Sequence, residues 1–273
     1  MTACKCGALS NPKPLTTLLV ETADILVTEM ISKNTERLPR LCKSLPACEM
    51  PLWKRSLDLL CILVAAPLWM PVMLVLGALI KLVSPGPALF RQERIGYLGK
   101  HFTCFKFRTM HVNADTGVHQ GHLNRLMDSN APMKKLDAAG DPRLIRCGLL
   151  LRSLGLDELP QLFNVIRGEM SLVGPRPCVP YEYENYSPHH RRRLEAIPGL
   201  TGLWQVSGKN RTTFEKMVDL DIYYAANKTL FLDLKILLKT LPAIISQTKD
   251  IQDDSKADKK TTQPETRAEK RQS

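Results

Sequence analysis

The longest apolar run in the chain covers residues 57–83 and carries only two charged residues, one near each end. A run of this length is long enough to span a bilayer as a helix. Pro67 and Pro71 lie near its middle, where each removes a backbone hydrogen bond and favours a kink or reversal. A break at Pro71 leaves two halves of about 13 residues, roughly 20 Å each, which enter the ~30 Å bilayer core without crossing it. The pattern predicts a re-entrant helix-break-helix over residues 54–85, and a straight transmembrane helix is the alternative.

Basic residues flank this run on both sides. Because the positive-inside rule places such residues in the cytoplasm, it gives no orientation for a single crossing and favours a course in which both ends face the cytoplasm. The flanking residues are Lys54 and Arg55 before the run, and Lys81, Arg91, Arg94, Lys100, Lys106 and Arg108 at its end and beyond.

A short strand is predicted at residues 105–108, where apolar and basic residues alternate. An earlier strand pairs with it across a turn at Gly96 or Gly99, which gives a β-hairpin. Lys106 and Arg108 then lie on the same side of the strand.

Two later segments show helical periodicity. Leu159, Leu162, Phe163 and Ile166 recur with the spacing of one helix face. Residues 229–247 are apolar over most of one face and carry lysines on the other, which is typical of a helix that lies in a membrane interface. With the hairpin, these segments predict a predominantly helical α+β fold.

The chain of 273 residues is 44% apolar, which is enough for one sizeable core. We assign that core to residues 86–248. Residues 1–50 lack the pattern of a signal peptide and predict a weakly ordered arm. Residues 249–273 are almost entirely polar or charged, so they bury too little apolar area to offset the entropy of ordering, and we predict a disordered tail.

The formal net charge of +11 favours an anionic partner: a nucleic acid, the cytoplasmic face of a membrane or a phosphorylated substrate. No recognition helix, zinc motif or aromatic stacking motif accompanies the charge, so a nucleic acid is not predicted. The eight cysteines form no pairs with zinc spacing, which fits a reducing cytoplasm.

Two adjacent acids, Asp157 and Glu158, are the most prominent candidates for chemistry. Asp157 suits the N-cap of a helix whose first turn tolerates Pro160. A helix N-terminus also favours phosphate oxygens, and two carboxylates there can hold a divalent cation that neutralises a diphosphate. The two interpretations are compatible.

Basic residues in two other segments suit phosphate binding. Arg176 lies in a rigid Gly-Pro-Arg-Pro turn at 174–177, and its planar guanidinium can bind a phosphate through two hydrogen bonds. Taken alone, however, the segment at 105–110 favours a half-buried strand in which Lys106 and Arg108 form a solvated basic face.

These stretches together resemble the bacterial sugar transferase family, the monotopic phosphoglycosyl transferases that move a sugar-1-phosphate from a nucleotide sugar to a polyprenyl phosphate. The resemblance covers roughly residues 54–246, and the long central motif is highly specific. The matching stretches are KRSLDLL at 54–60, the proline-containing apolar run, FKFRTM at 105–110, LRSLGLDELPQLFNVIRGEMSLVGPRP at 151–177, PGLTGLWQVSGKNR at 198–211 and DLDIYY at 219–224.

The resemblance implies a reaction in two steps. Asp157 is implied as the nucleophile that attacks the sugar-bearing phosphate of a UDP-sugar, releases UMP and carries the phosphosugar. Undecaprenyl or another polyprenyl phosphate then takes the group from the enzyme. Glu158 is implied as a partner that positions a metal or handles a proton, with Mg2+ held by the two acids.

The basic residues also receive roles from the resemblance. Lys106, Arg152 and Arg176 are implied to offset the developing phosphate charge. Arg211, with Lys209 beside it, is implied to face the nucleotide or the membrane surface.

The fold implied by the resemblance has a re-entrant helix and interfacial amphipathic helices around a catalytic site. That site faces the cytoplasm at the bacterial inner membrane. Pro71 is implied as the break in the membrane helix, but Met70 precedes it where the family usually has a serine. Downstream glycosyltransferases of surface polysaccharide assembly are further partners on this view. The sequence leaves the identity of the sugar open.

A membrane-anchored binding or scaffold protein is the alternative function. In that case the acid pair is only a helix cap, and the basic residues hold only anionic lipid.

Overall fold

The computed structural model describes residues 50–112, 121, 125–127, 129, 143–208 and 212–261. The predicted arm at 1–50 therefore lies outside the described residues, apart from its last residue. Position 211 and residues 262–273 also lie outside them. The described residues belong to one compact unit, residues 49–273.

Helix α1, Leu52–Val83, follows from the long apolar run and is the one described helix that is long and apolar enough to cross a membrane. Pro67 and Pro71 both lie inside it. The structure thus has one helical segment where the pattern predicted two segments separated at Pro71. A proline removes a single helical hydrogen bond and commonly kinks a helix without ending it. The re-entrant course of this helix stays a prediction.

Both ends of α1 contact the rest of the unit, and along its middle one face packs against the unit through residues such as Ile62 while the other face is exposed. Near the N-terminal end, Lys54 Nζ donates to the carbonyl oxygen of Val173 over 2.8 Å. Just beyond the C-terminal end, the carbonyl oxygen of Ser84 accepts from Arg108 Nη2 over 2.7 Å. The apolar side chains that are more than half exposed along the middle are Leu60, Leu63, Val64, Leu68, Met70, Leu74 and Val75.

The predicted hairpin is confirmed. Strands β1, Leu89–Ile95, and β2, His101–Phe107, pair antiparallel. A single 3-10 turn, Tyr97–Gly99, joins them, and Gly99 has the positive φ of 79° that a glycine adopts without strain. Cys104 and Phe107 of β2 are buried, and Lys106 between them is partly buried.

The segment around the acid pair forms three short elements: helix α2, Gly148–Ser153, a 3-10 helix, Leu156–Gln161, and helix α3, Leu162–Arg167. The predicted apolar face is wrong in part. Leu162 is buried, but Phe163 is 41% and Ile166 42% exposed, and Val165 is buried instead. A 3-10 helix has 3.0 residues per turn, so a period of 3.6 counted from Leu159 loses its phase before α3 begins.

A parallel pair of strands, which the sequence did not predict, lies next to these helices. Strand β3, Ser171–Val173, pairs with β4, Gly199–Thr201. A side chain at Gly174 would collide with the carbonyl oxygen of Ile197, so the close approach of the two segments requires glycine. The connection contains α4, Pro180–Glu184, α5, Pro188–Arg191, and a 3-10 helix, Arg192–Glu195.

Three helices complete the unit: α6, Leu203–Val206, α7, Phe214–Asn227, and α8, Leu230–Thr261. Asp233 and Ile236 on α8 are buried. Its opposite face carries exposed apolar residues at helical spacing, as an interfacial helix would, and its contact with a membrane stays a prediction. These residues are Phe231, Leu234, Leu238, Leu241 and Ile245.

Helix α8 also continues to Thr261, past position 249 where composition predicted the disordered tail to begin. Residues 249–261 are rich in lysine and aspartate. Once a helix has been nucleated, each added residue costs little, because every residue that is fixed also gains a hydrogen bond.

The structure corrects the prediction that Lys54 is a flanking charge at the membrane boundary. Its ammonium group lies 2.6 Å from Asp233 of α8 and is only 2% exposed, and Tyr224 Oη lies 2.9 Å away. Lys54 therefore joins α1 to α8 and is no surface charge at a membrane boundary. A charged residue that is otherwise out of place in an apolar helix was the available sign of such a pair.

Candidate active site

The acid pair lies in the 3-10 helix Leu156–Gln161. Gly155, with a φ of 69°, caps this helix, and Asp157 and Glu158 occupy its first turn. The prediction that Asp157 is the N-cap is therefore wrong. The chain enters the turn through a left-handed residue, which glycine adopts readily, and this moves the start of the helix ahead of the acids.

Glu158 joins two of the predicted phosphate-binding residues. Its Oε1 atom lies 3.2 Å from Lys106 Nζ and 3.5 Å from Arg176 Nη1. All three side chains are partly buried. Lys106 comes from β2, Glu158 from the 3-10 helix and Arg176 from the loop after β3, so three elements meet at one carboxylate oxygen.

This meeting point forms part of the lining of a cleft. Asp157 precedes Glu158 in the same turn and is partly buried, but it is not among the residues lining the cleft, and neither is Arg152 in the last turn of α2. The lining residues are Arg94, Cys104, Lys106, Glu158, Gln161, Arg176, Pro177, Gly199, Leu200 and Gln205.

Arg94 is a cation of the cleft that sequence reasoning counted only as a flanking charge. It is 6% exposed and donates from Nη1 to the carbonyl oxygen of Pro177 over 3.0 Å. Gln92 Oε1 accepts from two other nitrogens of the same guanidinium. The burial of Arg94, and next the positive charge of Arg176, lower its pKa. Arg94 thus stabilises the turn at 174–177, which carries Arg176.

The cleft holds more positive than negative charge. Among its described lining residues, Arg94, Lys106 and Arg176 are cationic and Glu158 is the one carboxylate. Burial lowers the pKa of Lys106, the charges of Arg176 and Arg94 lower it further, and Glu158 opposes them. A half-enclosed site with uncompensated positive charge is suited to an anion such as a phosphate or diphosphate.

Arg108 has a structural role. Its guanidinium is buried and donates to the carbonyl oxygens of Ser84 and Pro85. The interpretation of residues 105–110 as a solvated basic face is therefore wrong for both basic residues, since Lys106 reaches Glu158 and Arg108 fastens the end of α1.

A second support for the Arg176 turn comes from the buried Arg193. It donates to the carbonyl oxygen of Arg176 over 3.3 Å and to Asp221 over 2.6 Å. Asp221 belongs to the DLDIYY stretch, so the sequence resemblance covered this residue without indicating its role.

Two predicted features of the site have no described geometry. Arg211 and Lys209 lie outside the described residues. Among the described residues, no group of three or more His, Cys, Asp or Glu side chains could hold a metal ion by itself. Asp157 and Glu158 could supply one or two oxygen ligands, and Mg2+ is commonly bound by that number of carboxylates together with substrate phosphates.

A family model described as "Bacterial sugar transferase" matches residues 50–247, which include every element described above from α1 to the first half of α8. The chain belongs to the bacterial sugar transferase family. It is therefore a transferase enzyme, and the predicted family is confirmed.

Individual relatives of this bacterial sugar transferase are about 40% identical to it. Exopolysaccharide production protein ExoY of Rhizobium meliloti (strain 1021) is 44% identical over 193 residues, which are 70% of this chain and 84% of the relative. The UDP-glucose:undecaprenyl-phosphate glucose-1-phosphate transferase of Caulobacter vibrioides is 40% identical over 210 residues, 74% of this chain and 73% of the relative.

A third relative is longer than this chain. The undecaprenyl-phosphate galactose phosphotransferase of Salmonella typhimurium is 39% identical over 192 residues, which are 70% of this chain and 40% of the relative.

Proposed function

We propose that this sugar transferase moves a sugar-1-phosphate from a UDP-sugar to undecaprenyl phosphate and releases UMP. The reaction begins the assembly of an exopolysaccharide or a related surface glycoconjugate. The observation that carries the proposal is the contact of one Glu158 oxygen with both Lys106 and Arg176, beside Asp157, in a cleft with surplus positive charge.

The cations of the cleft suit the anionic parts of both substrates. A UDP-sugar carries a diphosphate and undecaprenyl phosphate carries a phosphate, so the same three cations can serve both half-reactions. The names of relatives support this choice, because two of them specify transfer to undecaprenyl phosphate and one specifies UDP-glucose as the donor.

Asp157 is the proposed nucleophile. In the first step its carboxylate oxygen forms a bond to the sugar-bearing phosphorus, and the bond from that phosphorus to the oxygen shared with UMP breaks. UMP leaves with the electron pair. In the second step a phosphate oxygen of the polyprenyl acceptor attacks the same phosphorus, and the Asp157 carboxylate leaves.

Glu158 holds Lys106 and Arg176 in this scheme. By neutralising part of their charge it keeps the two cations close together until the diphosphate arrives. Arg94 and Arg193 keep the turn of Arg176 in place through its backbone carbonyls. Arg152 and Arg211 are proposed as further phosphate or nucleotide ligands.

Mg2+ is the proposed metal, held by Asp157 and Glu158 together with the phosphates of the donor. When bound, Mg2+ supplies neutralisation of the charge that develops on the diphosphate.

The acceptor is proposed to reach the site from the cytoplasmic leaflet of the membrane. Both ends of α1 are fastened to the unit that contains the cleft, through Lys54 at one end and Ser84 at the other. The exposed apolar middle of α1 is then available to the bilayer, which supports the re-entrant course and a site at the membrane surface.

The deciding experiment is the Asp157→Asn variant. With a UDP-sugar and no acceptor, the wild type is expected to release about one UMP per enzyme and to gain the mass of one sugar phosphate. The variant is expected to do neither while remaining in the membrane fraction. Asp219→Asn, which changes a half-exposed aspartate on α7, is the matched control and is expected to behave like the wild type. Full turnover by Asp157→Asn would contradict the proposed nucleophile, whereas no UMP release by the wild type would favour the scaffold alternative.

A further inference from the structure

Gln205 is a buried polar residue of the cleft that the proposed chemistry does not use. It lies on the short helix α6, directly after strand β4, and is 8% exposed. It lines the same cleft as Lys106, Glu158 and Arg176.

The carboxamide of Gln205 has an unused hydrogen-bonding group. Within the part of the chain that the structure describes, its Oε1 atom is buried and has no hydrogen-bond partner. Buried polar side-chain atoms in native proteins usually have at least one partner, and exceptions often mark a site where a ligand or water binds. A carboxamide can both donate and accept, so it complements a neutral group that does the same.

All charged lining residues of the cleft come from the hairpin, the 3-10 helix and the turn after β3, which also contribute the neutral Cys104, Gln161 and Pro177. The lining residues from β4 and α6, which are Gly199, Leu200 and Gln205, carry no charge. A ligand with an anionic part directly bonded to a neutral, hydroxyl-rich part fits this division.

The chemistry of the donor selects which neutral part lies there. Both sugars of a UDP-sugar are bonded to the diphosphate, the hexose at one phosphorus and the ribose at the other. Only the hexose is on the phosphate that Asp157 is proposed to attack, and Glu158, the neighbour of Asp157, lines the cleft. The neutral group nearest to the acid pair is therefore the hexose.

We infer that Gln205 hydrogen-bonds a hydroxyl or N-acetyl group of the donor hexose and determines which sugar the enzyme accepts. This inference rests on the proposed function. It assigns the discrimination among sugars to α6 and the binding of the diphosphate to the cations of the cleft.

The test compares Gln205→Leu and Gln205→Asn with the wild type across UDP-glucose, UDP-galactose, UDP-N-acetylglucosamine and UDP-N-acetylgalactosamine, with UMP release as the readout. A lost hydrogen bond to the preferred sugar is expected to lower its kcat/KM roughly tenfold and to reduce the preference over its epimer. Inhibition by UMP, which lacks the hexose, is expected to stay within about twofold of the wild type. Asn227→Leu, which removes an exposed carboxamide from α7, is the matched control.

Two results would overturn the inference while the proposed function stands. One is an unchanged order of preference among the four donors in both variants. The other is a loss of UMP inhibition equal to the loss of kcat/KM, which would place Gln205 at the nucleotide. If the wild type releases no UMP from any donor, the proposed function itself fails and the inference fails with it. Thermal unfolding of each variant separates a local effect from loss of the fold.

Discussion

Arg193 donates a hydrogen bond to the Asp221 carboxylate over 2.6 Å, and both side chains are almost completely buried. Arg193 also reaches Tyr186 Oη and the backbone carbonyl of Arg176, so one guanidinium connects α7 to the turn that bears a phosphate-binding residue. The turn that carries Arg176 is thus held by a buried ion pair whose members do not line the cleft.

Removing one member of this pair is expected to destabilise the protein. Arg193→Met leaves the Asp221 carboxylate buried without its cation, which typically costs about 3–5 kcal/mol. Asp221→Leu in the same chain removes the stranded charge and is expected to recover much of that loss. Urea unfolding in detergent measures both effects. Arg192→Met, at the neighbouring arginine whose contact with Glu195 is 3.9 Å and partly exposed, is the control and is expected to cost less than about 1 kcal/mol. An equal loss in the two single variants would contradict this account.

Glu158→Gln is expected to strengthen anion binding and to slow turnover. The substitution removes the carboxylate that lies between Lys106 and Arg176, so these cations become more available to a bound anion. Binding of inorganic pyrophosphate is expected to tighten by roughly 1 kcal/mol, about fivefold, while UMP release from a UDP-sugar falls. Isothermal titration measures the first and a UMP assay the second. Weaker pyrophosphate binding would show that Glu158 contributes to the anion site in another way, such as through a metal.

The pH dependence of the reaction is expected to report on Lys106. Its burial, reinforced by Arg176 and Arg94, lowers the pKa of this ammonium below the usual 10.5. Only the cationic form attracts phosphate, so kcat/KM is expected to fall as the pH rises through that lowered pKa in the free enzyme. Lys106→Arg keeps the charge to higher pH and is expected to move the alkaline limb upward. If the alkaline limb of the pH profile is unchanged in Lys106→Arg, another group causes the fall in kcat/KM.

Cys178 gives a pH-dependent contribution to stability. Burial raises the pKa of its thiol from 9.0 to about 11. The folded protein holds this proton more tightly than the unfolded chain, so the stabilisation is fully present below pH 9 and is lost as the pH rises through about 11. Two pKa units correspond to about 3 kcal/mol. The free energy of unfolding is therefore expected to fall less steeply with rising pH in Cys178→Ala than in the wild type. If the free energy of unfolding falls equally steeply with pH in both proteins, Cys178 does not cause the pH dependence.

The course of α1 can be tested by labelling. Single cysteines placed before residue 57 and after residue 83, in a chain whose other cysteines are replaced, are expected to react only with reagents that reach the cytoplasm. This outcome follows if the two ends lie on the same side of the membrane, as their contacts with one unit support. Labelling of either position from the periplasm would mean that α1 crosses the bilayer.

Local pattern was sufficient for the elements whose cause is local. The apolar run gave α1, and alternation with two glycines gave the hairpin. The pairing of β3 with β4 could not be foreseen in this way, because each strand has three residues and the contact depends on the absence of a side chain at Gly174.

The residues of the candidate site divide in the same way, into those that a local motif indicates and those that depend on distant contacts. Asp157, Glu158, Lys106 and Arg176 were named from the motifs, and the structure brings the last three together. Arg94 and Gln205 were missed because their roles arise from contacts between distant segments. Nothing in the spacing of a single glutamine shows that its carboxamide will be buried in a cleft beside two cations.

The ion pair between Lys54 and Asp233 joins residues 179 positions apart in the chain. At synthesis rates of about 5–20 residues per second, the lysine waits roughly 10–35 seconds for its counter-ion to be made. During that interval the newly made α1 has neither its buried partner nor the unit that later covers both its ends. In the proposed membrane course, α1 is therefore free to enter the lipid early, while the ribosome is still producing the residues that later hold its ends.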